Sequence, residues 1–271
     1  MTATVSVEDR GFTLGDGVFD TALALGGVVF ARERHVARLL AACAGIGIAV
    51  PRERVEAAID AALSPAPAVL RTTVTRGIAA RGLWPASVGE PTVVVTTAQW
   101  NPALLGQPAR LVTARGRRNE FSPAANLKAI GYLDAILAAR EATLAGADDA
   151  LLLNTQGRVA CTTIANVFAV IGGRLVTPPL AEGCLPGIMR GLVRDIAPTL
   201  GLALEERPLA AGELHAATAV FLTNSVRFLR PATVLDGRAL GTASDVAEAL
   251  MRQLRRRVVA ECGVELNFGD Q

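Results

Sequence analysis

Lysine is almost absent: of the 27 basic residues in this 271-residue chain, 26 are arginine and only Lys128 is lysine. Arginine replaces lysine wherever a solvated positive charge is all that is needed. It does not replace lysine where a primary amine must lose its proton and attack a carbonyl, because the guanidinium stays protonated. The lone lysine therefore marks a candidate nucleophile. An arginine-biased composition would also leave one lysine by chance, so the surrounding residues must decide.

Other absences narrow the class. No stretch approaches the roughly 18 to 20 uninterrupted apolar residues of a membrane span, and the start MTATVSVEDRGF lacks a basic segment followed by an apolar one. The expectation is a cytoplasmic protein without a membrane partner. Cys43, Cys161, Cys184 and Cys262 are scattered with no CxxC pair, which argues against a zinc site and a disulfide framework. No metal is expected. A formal charge of +2 is too small for a nucleic-acid footprint, and the one basic run, Arg255, Arg256 and Arg257, reads as the solvated face of a C-terminal amphipathic helix.

What is present is a 51% hydrophobic chain, enough for a sizeable core in one large or two modest α/β domains. Thr13 to Phe19 reads as a turn entering a strand, and Gly26-Gly27 as a hairpin loop. From Glu33 the positions Val36, Leu39, Leu40 and Cys43 recur at helical spacing, which sets His35 and Arg38 one turn apart. A second helix over Pro51 to Leu63 precedes the β-rich stretches VLRTTVTRG and PTVVVTTA. Asn101 to Pro108 lacks periodicity and carries two prolines, so residues 1–100 are taken as a small N-terminal α/β domain, 101–108 as a linker and 109–271 as a larger C-terminal α/β domain. There RLVTA reads as a strand, Ile130 to Leu144 as a helix stopped by Gly146, and ALLLN as a strand. Asn166 to Val170 and Arg174 to Thr177 flank the Gly172-Gly173 turn, Pro186-Gly187 introduces a helix, and AVFLT and ATVLDG are later strands.

Two places suit an anion. Cys184 to Arg190 (CLPGIMR) offers free backbone N–H groups where a helix begins. Thr223, Asn224 and Ser225 close a strand and add hydroxyl and backbone donors, while Arg38 supplies a charge. The only tyrosine, Tyr132, follows Lys128 by four residues. It reaches the same ligand if both stand at the start of one helix, and otherwise packs in the core.

Five segments together resemble the class IV aminotransferases, the fold type IV enzymes that use pyridoxal 5′-phosphate (PLP). They are RGFTLGDGVF (Arg10 to Phe19), HVARL (His35 to Leu39), LKAIGYLDAILAAREA (Leu127 to Ala142), GRVACTTIANVF (Gly157 to Phe168) and LPGIMR (Leu185 to Arg190), in the family's order and over nearly the whole chain. The usual first strand before RGF is shortened. The resemblance implies the two-domain α/β (α+β) fold of D-amino-acid aminotransferase type, with PLP between the domains and a homodimer as the assembly. It implies that Lys128 forms the Schiff base, that Arg38, the Ile188 and Met189 amides and Ser225 hold the phosphate, that Leu185 packs on the pyridine ring, and that Tyr132 and Cys161 adjoin the cofactor. Phe19, Arg71, Arg76, Arg81 and Val226 are the implied contacts to a small amino substrate bearing carboxylate. The lone lysine thus coincides with the family's Schiff-base position.

The resemblance leaves three activities: 4-amino-4-deoxychorismate lyase, D-amino-acid transaminase and branched-chain L-amino-acid transaminase. The transaminases usually end the GDGV[YF] motif in Tyr, where this chain has Phe19, and the D-amino-acid enzymes pair an Arg with a His two residues on, where this chain has Arg81 and Leu83. The RGxxxRG spacing of Arg76 to Gly82 and the TNS of Thr223 to Ser225 resemble the lyases, which is the reading favoured here. One departure stands out. The family motif G-x-V-x-E-x-x-x-x-N-x-F places a Glu against the pyridine nitrogen, and this chain has Cys161 there. A thiolate would partly replace that carboxylate; a neutral thiol would do so poorly, which admits a PLP-binding protein with little turnover as a further alternative.

Overall fold

The computed structural model describes residues 4–85, 87, 89–242 and 245–266. The chain divides into two compact units, Met1–Trp100 with Leu127–Gly131, and Asn101–Asn126 with Tyr132–Gln271.

In the first unit α1 (Arg10–Leu14) is a single turn, capped by the Asp9 side chain on the Gly11 amide and ended by Gly15 at φ 67°. It replaces part of the expected turn before β1 (Gly17–Leu25). Gly26 and Gly27, both at positive φ, close the hairpin to β2 (Val28–Val29) as the sequence indicates. Two helices follow, α2 (Arg32–Gly45) and α3 (Arg52–Ala62), and then β3 (Ala68–Thr75) and β4 (Thr92–Gln99). The antiparallel sheet runs β2-β1-β3-β4.

Side chains alternate across a strand, so the two faces of β1 have different fates. Val18, Ala22 and Ala24, with Leu70 and Val74 of β3, form the core against Val36, Leu39 and Cys43 of α2 and Val55 and Ile59 of α3. Phe19 and Arg71 therefore stand on the opposite face.

Strand β2 pairs only with Ala24 and Leu25, which leaves the first half of β1 with an open edge. Residues 128–130 fill it. Val18 bridges to Ala129, the Phe19 amide donates to the Lys128 carbonyl at 2.8 Å, and the Ile130 amide donates to Gly17 O at 3.1 Å. Gly17 permits this approach, because a Cβ there would lie 2.5 Å from Val74 O and 2.7 Å from Ile130 Cδ1.

A carboxylate ties the loop after β3 to the start of the chain. Asp16 accepts from Arg10 Nε at 2.8 Å and from Arg76 Nε and Nη2 at 2.8 and 3.0 Å. Arg10 also donates to the carbonyls of Gly82 and Leu83, both at 2.7 Å, and Arg76 to those of Gly47 and Ile46.

In the second unit the stretch expected to be a linker holds a short 3₁₀ turn, Pro102–Leu104, capped by Asn101. Next come β5 (Ala109–Arg118), α4 (Leu133–Leu144), β6 (Asp149–Asn154), β7 (Val159–Thr162), β8 (Asn166–Ile171), β9 (Arg174–Thr177) and α5 (Ile188–Thr199). They are followed by β10 (Leu204–Glu206), α6 (Ala211–Ala216), β11 (Ala219–Asn224), β12 (Phe228–Leu235), β13 (Arg238–Ala239) and α7 (Asp245–Cys262). The nine strands form one mixed sheet, β10-β9-β8-β11-β12-β5-β6-β7, with β13 on β12. Its core gathers Leu111, Leu151, Val159, Val167, Val220 and Leu222.

Two expectations need correction. The helix read from Ile130 starts at Leu133, because Lys128 to Ile130 are drawn into extended pairing with β1. Lys128 and Tyr132 therefore do not share a helix. On α7, Leu250, Leu254 and Val258 are buried, and of the three arginines only Arg256 is exposed while Arg255 and Arg257 are half-buried. Among the described residues no helix is long and apolar enough to cross a membrane.

Replacing Asp16 by Ala leaves two guanidiniums, 5% and 7% exposed, without their counter-ion. The expected loss is roughly 3 kcal/mol in urea unfolding, measured by circular dichroism. A loss below about 0.5 kcal/mol, the level of an ordinary surface change, would show that the clamp is not structural.

Candidate active site

The first unit places three of the expected residues together. The Phe19 ring has the Lys128 Nζ at 4.4 Å from its centroid and the Arg71 guanidinium carbon at 3.5 Å. The pairing of 128–130 with β1 brings the amine there, and the register of β3 on β1, with Thr73 opposite Phe19, brings Arg71 onto the same face. Such stacking of a cation on a ring is worth about 0.5–2 kcal/mol, and it orients both groups.

Arg38 lies on the other face of β1. Asp20 accepts from its Nε and Nη2 at 2.9 and 2.6 Å and meets His35 Nδ1 at 2.5 Å. The helical spacing of His35 and Arg38 was visible in the sequence; their shared counter-ion was not. The signal that points to it is an acid in the middle of a strand whose remaining residues on that face are apolar. Burial raises the Asp20 carboxyl, but the charges and hydrogen bonds of His35 and Arg38 more than offset this and hold it below the usual carboxylate range.

The remaining first-unit candidates diverge. Arg76, expected at a substrate carboxylate, is instead fastened to Asp16, Ile46 and Gly47, as described above, which makes it a structural group. Arg81 is exposed on the loop that Arg10 holds at Gly82 and Leu83.

The second unit brings the two candidate anion-binding segments toward one another through Asn166. Helix α5 begins after Gly187, so the Ile188 and Met189 amides in its first turn have no carbonyl within the helix to bond. Asn166, at the start of β8, donates from Nδ2 to Leu185 O at 2.9 Å and fixes that loop. Its Oδ1 lies 2.0 Å from where a Cβ on Gly187 would be, so only glycine lets the helix start this close. Directly across the sheet from Asn166 is Thr223, whose hydroxyl is buried with no hydrogen-bond partner among the described residues. Ser225 follows in the turn after β11. Neither Asn166 nor the Thr223 orphan was read as part of the site from sequence beyond the TNS motif itself.

The Val226 amide, with that of Arg227, donates to Asn224 Oδ1 at 3.0 and 2.8 Å, closing the turn in which Val226 sits. Tyr132 is half-buried at the N-terminus of α4, and Leu185 is half-buried ahead of α5.

Cys161 lies on β7 opposite Leu152 and is 8% exposed, in a cluster with Ala114, Ala138, Ala150 and Cys184. Burial pushes its thiol up to about 12, despite the opposing charge of Arg118. The choice between thiol and thiolate is thereby made: at neutral pH it is a neutral thiol.

Residues 17–235 match the amino-transferase class IV family. The chain belongs to that family. It is 35% identical, over 88% of its length and 85% of the relative's, to a putative branched-chain-amino-acid aminotransferase of Methanocaldococcus jannaschii. It is also 28% identical, over 95% of its length and 90% of the relative's, to the aminodeoxychorismate lyase of Bacillus subtilis. Among solved structures a putative 4-amino-4-deoxychorismate lyase from Legionella pneumophila shares the fold with a TM-score of 0.86 at 29% identity, covering 95% of this chain and 96% of that one. The protein is therefore a PLP-dependent enzyme with the fold of type IV aminotransferases, within a family whose members are transaminases or lyases.

The donor set suits such a cofactor in two respects. The first unit has a single lysine amine, and the second has a buried hydroxyl without a hydrogen-bond partner among the described residues and first-turn amides with no carbonyl within the helix to bond. In a third respect it departs from the family motif, for where that motif has Glu this chain has Cys161, a buried thiol.

Asp20 sets a pH dependence. A carboxyl held low in the fold contributes stability above its unfolded pKa, near 4, and loses it as pH falls through the folded value. Urea unfolding of the native protein and of Asp20→Asn should therefore differ most near neutrality, by roughly 3 kcal/mol, and the gap should begin to close only as pH falls below about 4 and narrow further toward the lower folded value. A gap that stays constant with pH would contradict the assignment.

Proposed function

We propose that the protein is a 4-amino-4-deoxychorismate lyase, releasing pyruvate and leaving 4-aminobenzoate, with Lys128 as the covalent anchor of PLP and the base that moves the substrate's α-proton. Arg38, the Ile188 and Met189 amides and Ser225 bind the phosphate, with the Thr223 hydroxyl beside them, and Leu185 and Tyr132 contact the ring. When bound, PLP would supply an electron sink for the pair left as the α C–H bond breaks. The amine of Lys128 takes that proton and returns it to the departing enolate, giving pyruvate, and Arg71 and Arg81 supply bidentate donors to the carboxylates of the substrate.

The observation that carries this reading is the pair formed by Phe19 and Arg71. Where transaminases of the family usually place a tyrosine hydroxyl for a substrate carboxylate, this chain has a ring without one, covered at 3.5 Å by a guanidinium. The likeness to lyases of known structure supports the same reading. A second reading, branched-chain transamination, is favoured by the 35% identity to the putative archaeal aminotransferase. Leu133, Ile136 and Leu137 lie exposed at i, i+3 and i+4 on α4, with Phe121 exposed in the same unit, which supports the homodimer expected for the family. A cytoplasmic location belongs to the same proposal.

The test is a substrate panel on PLP-loaded enzyme: aminodeoxychorismate alone, D-alanine with a keto acid, and L-leucine with a keto acid. Pyruvate release that needs no keto acid is the expected result, with Arg71→Ala lowering it at least tenfold, the equivalent of about 1.4 kcal/mol. Amino transfer from L-leucine or D-alanine without pyruvate release from aminodeoxychorismate would overturn the lyase assignment.

A further inference from the structure

We infer that Cys161 and Arg118 together leave the pyridine nitrogen of the bound cofactor unprotonated, so that this enzyme works with a weaker electron sink than a carboxylate at that position would give it. The inference rests on the proposed placement of Cys161 at the ring nitrogen.

The sheet supplies the geometry. Cys161 on β7 is paired with Leu152 on β6 and enclosed by small apolar residues, Ala114, Ala138, Ala142 and Ala150 among them. A carboxylate would be poorly solvated in such surroundings, whereas a thiol is at ease there as a small apolar group with a weak S–H donor. With its titration pushed up to about 12 it stays in the S–H form. An S–H can donate to an unprotonated nitrogen and offers only a weak acceptor to a protonated one.

The other titratable groups that act on Cys161 are Arg118 from β5, Cys184 and Asp149 from β6. Cys184 is a second buried thiol, itself shifted upward by burial. The Arg118 guanidinium is held by two neutral groups, donating from Nε to Gly183 O at 2.8 Å and from Nη2 to Ala125 O at 2.5 Å. Among the described residues it forms no ion pair, so its charge is not cancelled locally. A nearby cation disfavours a second cation, here a pyridinium.

Asp149 is the one acid in the set, and it is turned elsewhere. Its Oδ1 accepts from the Thr163 hydroxyl at 2.5 Å and from the Ala150 amide at 2.8 Å. Its Oδ2, without a hydrogen-bond partner among the described residues, belongs to a residue that lines a small cavity with Asn224, Arg227 and Arg230.

The consequence is chemical selectivity. Elimination that creates an aromatic product draws driving force from the substrate itself, and so depends less on the ring's capacity for charge than amino transfer does. A ring nitrogen without an acid therefore suits the lyase reading and handicaps transamination.

The test uses full-length protein loaded with PLP labelled with ¹⁵N at the ring, read by ¹⁵N NMR at neutral pH. The native protein and Cys161→Ser are expected to give the same resonance, downfield in the unprotonated range. Cys161→Glu is expected to move it upfield to the pyridinium range, and Asp149→Asn to leave it in place. A pyridinium resonance in the native protein would overturn the inference while leaving PLP binding intact, as would a Cys161→Ser resonance that differs in protonation from the native one. If Cys161→Glu folds, binds PLP and keeps an unprotonated nitrogen, Cys161 is not at the ring nitrogen and the inference fails. If Cys161→Glu does not fold, the native and serine resonances decide. Native protein that binds no labelled PLP would instead sink the proposed function.

Discussion

The short antiparallel pairing of residues 128–130 with the open edge of β1 fixes everything that Lys128 can reach. Two backbone hydrogen bonds, from Phe19 to Lys128 and from Ile130 to Gly17, replace the partner that a two-residue β2 is too short to provide. An unpaired strand edge in a folded unit demands such a partner. Here the partner is a segment from far along the chain, and it carries the only lysine. The amine is thus held beside Phe19 by backbone geometry, and its position does not depend on a flexible loop or on the helix that follows.

The alternation of β1 then separates two tasks within one strand. Phe19 faces Lys128 and Arg71, while its neighbour Asp20 faces α2 and gathers His35 and Arg38. Asp16, a few residues earlier, gathers Arg10 and Arg76 in the same manner. In both clusters one carboxylate serves two partners. In a chain that has replaced nearly all its lysines with arginine, the planar forks of those arginines bind acids and carbonyls in fixed orientations, and the electrostatics of the small unit become rigid. The large unit does the opposite at Cys161, where an acid is withheld and a neutral thiol sits among alanines.

Much of this was legible in the sequence, and the reasons for the rest are specific. Lys128 stood out because only chemistry distinguishes lysine from arginine at a site, and the glycine-rich turns at Gly26-Gly27 and Gly172-Gly173 announced their hairpins through backbone conformation alone. The start of α4 was misplaced by three residues, since Lys128 to Ile130 have their hydrogen-bond partners more than a hundred positions away, beyond the reach of local periodicity. Arg76 looked like a substrate ligand by charge and spacing, but its acid lies 60 residues earlier, on a turn the sequence gives no reason to pair with it. The Asn166, Gly187 and Thr223 contact likewise joins three segments through sheet register. The protonation of Cys161 depends on burial, which a motif does not record.

The account stands on covalent attachment through Lys128, and a single lysine makes that directly measurable. Borohydride reduction of PLP-loaded protein followed by peptide mass spectrometry is predicted to find the reduced cofactor on the peptide containing Lys128 and nowhere else, and to find none in Lys128→Ala. Cofactor that remains unattached after reduction, or an adduct that persists without Lys128, would contradict it.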